Sequence, residues 1–390
     1  MKEYYFRIDP YAKELETEIT DISGDQVFLK DTILYPGGGG QPPDIGKIIG
    51  ADFEADITAT KNQEVIVHNL SNVRGTLKKE RVKVVLDWDR RYALMKAHSG
   101  EHIFFRALEL LYPIKFEKVE FSPKESVLFI SGDVTFEQIK EAEVLANQTI
   151  KEARNIVVSS VSQDTITSDV RLKRDRIKDE SVRVVEIEDF DKSACTGIHV
   201  KNTKEIEMVI ATKLKKSKYF EIFFMVSSYA RDYIKNAVID LYQIEKLFNL
   251  SGSELIKKLS TMKIDFEALK EAYYDVTAKM YKFEVINFKA LNFYWAMSEL
   301  GDFKGIEKRA QDIISSEDSI VLYGNENEEK ILLLFSKSIS LDLQPIYKIL
   351  EKYNQKGGGK GNFLLIQANK DLFKELFEEM KKFIIENLNK

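Results

Sequence analysis

The pattern of apolar and polar positions changes character along the chain. Between Tyr5 and Trp88, short β-favouring runs at residues 26–30, 32–35, 64–68 and 82–88 alternate with turn residues, which predicts a small barrel or closed sheet. From Asp89 the apolar residues recur at helical spacing through Leu111, so one long, partly buried helix is expected, ended by Tyr112-Pro113. A strand pair over 120–131 follows. Then comes a helix over 135–154 with Phe136, Ile139, Ala142, Leu145 and Ala146 on one face, and strands over 155–161, 205–214 and 220–226. From Tyr229 to about Phe288 helical periodicity dominates, with a break at residues 249–253 where Ser253 is the expected N-cap. The apolar stripes of this helical arm (Ile234, Val238, Leu241, Ile244 and Leu247, then Leu255, Leu259, Met262, Phe266 and Leu269) read as core, or else as a face through which two copies pair, the C-terminal domain being the other surface for such pairing. The remainder alternates strands at 319–323 and 330–336 with helices at 341–353 and 371–389.

These elements define an α+β, multidomain chain. Residues 1–88 are expected to form a β-barrel with a glycine-rich loop, 89–228 an α/β domain that carries the His and Cys motifs taken up below, 229–289 a helical arm and 290–390 a C-terminal glycine-rich α/β domain. A single cysteine rules out an intramolecular disulfide. The first residues lack the apolar run of a signal peptide, and no stretch is long and uncharged enough to cross a bilayer. A cytoplasmic, membrane-free protein is therefore expected. The net charge of −5 confines any nucleic-acid contact to a local patch.

The chemistry is concentrated in two short motifs. His98-Ser99-Gly100-Glu101-His102 places two imidazoles at i and i+4 on one helix face, and Cys195-Thr196-Gly197-Ile198-His199 repeats that spacing with a thiolate and a third imidazole. Three of the chain's 4 histidines and its only cysteine fall in these motifs. Such a set of one cysteine and three histidines is chemistry that selects Zn²⁺. Between them Glu101 is the nearest candidate for a catalytic base, although an exposed helix carboxylate is the plainer expectation. His98-x-x-Glu101-His102 also matches an inverted zinc-peptidase motif, which leaves Cys195 and His199 unexplained.

Other segments suggest ligand contacts. Four glycines followed by Gln41, two prolines and Asp44 mark a binding loop between strands. Arg90 and Arg91 at the helix start, a basic cluster at residues 171–178, and a glycine loop at Lys356, Gly357, Gly358, Gly359 and Lys360 are candidate phosphate contacts.

Thr32 to Gly46, Asp87-Trp88-Asp89-Arg90-Arg91, Met95 to His102 and Cys195 to Val200, in that order, resemble the motifs of the alanyl-tRNA editing family, which comprises the editing domain of alanyl-tRNA synthetase and the free-standing AlaX proteins. The match covers about the first 230 residues. The region from Gln355 to Asn369 is similar to the DHH-associated glycine-rich domain that closes alanyl-tRNA synthetases, so the chain resembles a long-form AlaX protein without the aminoacylation domain. The resemblance implies a deacylase acting on tRNA(Ala) mischarged with serine, and secondarily glycine. His98, His102, Cys195 and His199 would hold Zn²⁺. Thr32 would read the serine hydroxyl, and Gln41 with Gly39 and Gly40 would frame the aminoacyl pocket. A hydroxyl-binding pocket discriminates strongly against the analogue lacking the hydroxyl, so alanyl-tRNA escapes. The alternative is a non-catalytic tRNA-binding module with structural zinc. Thr196 and Ile198 depart from the family's usual Cys-Gly-Gly-Thr-His.

Overall fold

The computed structural model describes residues 4–62, 65–163, 166–167, 170–172, 181–280, 282–298 and 303–388. The chain divides into two compact units, Met1–Gln243 and Ile244–Lys390.

The first unit opens with a one-turn helix α1 (Tyr5–Ile8), followed by six strands. These are β1 (Glu14–Ser23), β2 (Gln26–Leu29), β3 (Ile45–Ile49), β4 (Phe53–Asn62), β5 (Val65–Gly75) and β6 (Arg81–Leu86). They close into a barrel in the order β1-β2-β5-β4-β3-β6, with Glu14 opposite Val85 where β6 meets β1. Closure leaves no free edge and buries the inward set of each strand, as the alternation of Val82, Val84 and Leu86 in β6 shows. Residues 32–35 are not the expected strand. Thr32, Ile33, Leu34 and Tyr35 are buried but irregular, because their polar groups bond elsewhere: Leu34 N donates to Thr32 Oγ1 and Tyr35 N to Asp44 Oδ2. Their hydrophobicity reflects burial rather than sheet pairing.

Helix α2 (Trp88–Leu111) begins at Asp87, whose side chain accepts the N–H of Arg90, and ends before Tyr112-Pro113 as its sequence requires. It is enclosed on nearly every side, with Leu94, Ile103, Phe104, Phe105 and Leu108 fully buried, each contributing roughly 1.5–3 kcal/mol of transfer free energy. Around it lie β7 (Lys115–Glu120), β8 (Ser126–Ser131), α3 (Phe136–Lys151), β9 (Ile156–Ser162), β10 (Ser181–Ile187), β11 (Asp191–Ala194), a 3₁₀ turn at Thr203–Ile206, β12 (Val209–Lys216) and β13 (Phe220–Val226). The strands form a four-stranded sheet β12-β13-β8-β7 and a three-stranded sheet β11-β10-β9. Barrel and α2 share one continuous core. Of the basic cluster, residues 173–178 lie outside those described; Arg171 pairs with Asp191.

Helices α4 (Ser227–Phe248) and α5 (Gly252–Met280) form the arm. Ser253 is inside α5 rather than its cap, for the first turn closes on the Ser251 carbonyl, which accepts from Glu254 N. The expectation that the arm's stripes are core is corrected for most positions. Leu255 is buried, but Val238, Leu247, Phe266 and Leu269 are 60%, 79%, 63% and 68% exposed. Helical periodicity marks an apolar face without saying what covers it.

The second unit carries a six-stranded sheet in the order β14 (Glu284–Asn287), β15 (Asn292–Ser298), β16 (Ser319–Asn325), β17 (Lys330–Phe335), β19 (Phe363–Gln367), β18 (Lys356–Lys360). Helices α6 (Phe303–Ser316), α7 (Gln344–Lys352) and α8 (Phe373–Leu388) accompany it. The strand β14 replaces the end of the expected helix. The glycine loop is likewise not a loop: Lys356 to Lys360 form the edge strand β18, with Gly358 opposite Leu365. Small residues suit this position because a Cβ on Gly359 would stand 1.9 Å from the Phe363 carbonyl oxygen. Its backbone is engaged in the ladder with β19 and does not form a nest. Among the described residues no helix is long and apolar enough to cross a membrane.

Candidate metal centre

Helical spacing does on α2 what the sequence requires, since His98 and His102 face the same way with ring centroids 5.4 Å apart. Along β11 the period of two puts Asp191, Ser193 and then Cys195 on one side, and the turn at Gly197 returns the chain so that His199 meets the helix pair. The ligand atoms of His98, His102, Cys195 and His199 all lie within 4.8 Å of one another. Cys195 Sγ is 3.2 Å from His98 Nε2 and 3.3 Å from His199 Nε2. A tetrahedral zinc with bonds of about 2.0–2.3 Å would set its donors roughly 3.5 Å apart, so the spacing and the set of three imidazole nitrogens with one thiolate both fit Zn²⁺.

A second ring of residues orients every imidazole. Gln41 Oε1 is 2.9 Å from His98 Nδ1 and accepts the backbone N–H of Ile198 at 3.2 Å. Because that N–H can only donate, the amide oxygen is fixed, His98 must carry its proton on Nδ1, and Nε2 is left as a lone pair facing the cluster. His102 Nδ1 is 2.8 Å from Ser193 Oγ and 3.4 Å from Asp191 Oδ2, and His199 Nδ1 is 3.2 Å from Ser99 Oγ. Asp191 also accepts from Arg171 Nη2 at 2.8 Å. Gln41, Ser99, Asp191 and Ser193 are buried, as are the three histidines.

Electrostatics follow from burial and proximity. Burial opposes the Cys195 thiolate, yet the neighbouring His98 and His199 outweigh it and hold the thiol well below its ordinary range. His199 is pushed down to about 3, first by burial and then by the neighbouring His98. His102 goes the other way against the effect of burial, because Asp191 and Cys195 both favour its protonated form. Glu101 is not the exposed carboxylate expected: it is 3% exposed, burial raises its carboxyl, and its Oε1 has no partner. The enclosure of α2 is the cause.

The remaining candidates are dispersed. All four loop glycines have positive φ, and Gly39 and Gly40 are exposed. A Cβ on Gly40 would meet the Val119 carbonyl at 2.2 Å. Thr32 is fully buried; its Oγ1 accepts from Leu34 N and lies 2.9 Å from His68 Nε2. Arg91 is no phosphate contact. It is 1% exposed and donates to Asp44, to the Ile33 carbonyl at 2.6 Å and to the Pro10 carbonyl at 3.1 Å, so it locks the glycine loop to α2. Arg90 is half-buried and donates to the Pro43 carbonyl. Sequence reasoning passed over Asp191, Ser193 and Ser99. The alternation Asp191-x-Ser193-x-Cys195 was the available signal.

The family model for tRNA synthetases class II (A) matches residues 7–90, and that for the threonyl and alanyl tRNA synthetase second additional domain matches residues 182–218. The alanyl-tRNA editing protein AlaX-L of Pyrococcus horikoshii is 26% identical over 93% of this chain and 93% of its own length. AlaX-M of Methanosarcina barkeri is 33% identical over 55% of this chain and 94% of its own. The alanine–tRNA ligase of Ignicoccus hospitalis is 24% identical over 92% of this chain but only 40% of its own. With the barrel, the His/Cys cluster and its oriented imidazoles in place, the chain belongs to the family of alanyl-tRNA editing proteins.

Proposed function

We propose that the protein is an aminoacyl-tRNA deacylase that hydrolyses the ester of tRNA(Ala) mischarged with serine, and secondarily with glycine, in trans and with Zn²⁺ bound. The observation that carries this reading is the single side chain joining glycine loop and metal cluster: Gln41 holds His98 and Ile198 through its oxygen. Bound at these four ligands, Zn²⁺ would supply a Lewis acid beside the ester. The other end of Gln41, Nε2, is buried without a partner, a preset donor of the kind that a developing oxyanion needs. Its part is thus to position His98 and to donate, not to abstract a proton. Glu101, between two ligands on α2, is the buried carboxyl that we assign to the site's proton handling.

Thr32 is the residue assigned to the serine hydroxyl. Its hydroxyl offers one donor and two acceptor positions; Leu34 N and His68 use two, leaving one for substrate. Gly39, exposed beside Thr196, and the exposed Gly40 next to it frame the pocket mouth. Arg90 and the exposed lysines Lys356 and Lys360 on β18, with Gly357, Gly358 and Gly359 between, are assigned to the tRNA body. The exposed apolar faces of α4 and α5 are assigned to pairing with a second copy. This reading places the protein in the cytoplasm, where tRNA is charged.

The direct test incubates the zinc-loaded chain with seryl- and alanyl-tRNA, both made on tRNA(Ala). Serine is expected to be released and alanine retained, with release abolished in His98→Ala. Release unchanged in that variant, or none from the unaltered chain, rejects the reading.

A further inference from the structure

Two guanidinium groups stand beside the cysteine end of the metal cluster. Arg183 on β10 donates from Nη1 to the Cys195 carbonyl at 2.8 Å, and Cys195 N donates back to the Arg183 carbonyl at 3.1 Å. Arg7 follows Phe6 on α1, whose ring meets that of Tyr35 edge-on with centroids 5.7 Å apart. Its Nε is buried with no hydrogen-bond partner. Both cations act on the Tyr35 phenol, and Arg183 is held below the ordinary guanidinium range by burial and by the like charge of Arg7, against the opposing pull of Cys195. Tyr35 in turn donates to the Gly38 carbonyl at 3.1 Å. The Thr196 hydroxyl lies 3.4 Å from where a Cβ on Gly39 would stand. Arg7, Arg183, Tyr35, Thr196 and the glycine loop therefore converge at one place.

Two other arginines of this unit have carboxylate partners. Arg91 has Asp44 and Arg171 has Asp191. Among the described residues no carboxylate pairs with Arg7 or Arg183. The Cys195 thiolate beside Arg183 offsets part of this charge, but it belongs to the metal-ligand set, so two like charges in a partly buried position still favour a further anion. The substrate narrows which anion. In an aminoacyl ester the carboxylate is consumed by the bond and the free amine is cationic, so the nearest negative charge is the phosphate of the terminal nucleotide. Guanidinium forks and flanking hydroxyls suit its several oxygens.

We propose that Arg7 and Arg183 form a phosphate-binding site that holds the terminal nucleotide beside the metal cluster. The site rests on the deacylase reading for its ligand, and its recognition is of a nucleotide phosphate rather than of the amino acid.

The test titrates the zinc-loaded full chain with AMP and with adenosine, and compares hydrolysis of the seryl ester of AMP with that of adenosine. AMP is expected to bind more tightly than adenosine. Arg7→Gln and Arg183→Gln should each weaken AMP about tenfold, the loss of one charge-assisted hydrogen bond, without changing adenosine. KM for the phosphate-bearing ester should rise by the same factor, with the adenosine ester unaffected. Because Arg183 also holds the Cys195 carbonyl, its variant is checked for metal content, and Arg7→Gln, which breaks no hydrogen bond, carries the result if that variant misfolds. Equal binding of AMP and adenosine, or equal damage to both esters, overturns the site while leaving the deacylase reading intact. Tight AMP binding through both arginines with neither ester cleaved overturns that reading and leaves the site standing.

Discussion

Gln41 Oε1 and His98 Nδ1 lie 2.9 Å apart, and that contact ties the glycine loop of the barrel to the metal face of α2. The same oxygen takes the N–H of Ile198, so one amide sets the tautomer of one ligand and the course of the chain between two others. Loop and metal are consequently a single unit.

Removing this link should be felt by the metal before the fold. Gln41→Ala is expected to lower zinc affinity by about 10–100-fold, as measured by competition with a chromophoric chelator. Gln41→Glu, which keeps an acceptor for His98 Nδ1–H, should retain most of it. Equal affinity in Gln41→Ala and the parent chain would exclude an orienting role.

Gly197 has no room for a side chain. A Cβ there would stand 2.0 Å from His98 Cε1 and 2.4 Å from its Nδ1. Gly197→Ala should therefore displace His98 and bring metal content below one ion per chain while the far-ultraviolet spectrum is kept. Full zinc content in the variant would show that the turn relaxes instead.

Arg91 and Asp44 test structure against nucleic-acid binding. Both are buried, and Arg91→Met leaves the Asp44 carboxylate uncompensated at a cost of about 3–5 kcal/mol, read from denaturant unfolding of the barrel unit. The double variant with Asp44→Asn should recover much of the loss. The salt dependence of tRNA binding should not change, since Arg91 does not reach solvent; a lower slope would restore it as a phosphate contact.

His68 gives the barrel a pH dependence. Burial pushes this histidine down to about 4 from an ordinary value near 6.5. The unfolded chain therefore takes up the proton first, so its contribution is complete above pH 6.5 and is lost as pH falls towards 4, by about 3 kcal/mol in all. Unfolding midpoints measured between about pH 7 and 4 should show this fall, and His68→Gln should flatten it. An identical decline in the variant would assign the effect to other groups.

What the chain's order of residues determined is local. The His98–His102 and Cys195–His199 spacings, the helix ending at Tyr112-Pro113, the closed sheet of the first segment and the backbone freedom of residues 37–40 all follow from periods and side-chain types within a few positions. Tertiary structure decided everything that depends on meeting a distant partner. It turned Arg91 inward to Asp44, 47 positions away, made an irregular buried segment of Thr32 to Tyr35, and laid the glycines at 357–359 into an edge strand against β19. It also supplied Gln41, Asp191, Ser193 and Ser99 as the groups that aim the imidazoles. The reason is physical: a ligand's identity lies in its own side chain, whereas its tautomer, its charge and its burial are set by whichever residues the closing of barrel, helix and sheet presses against it.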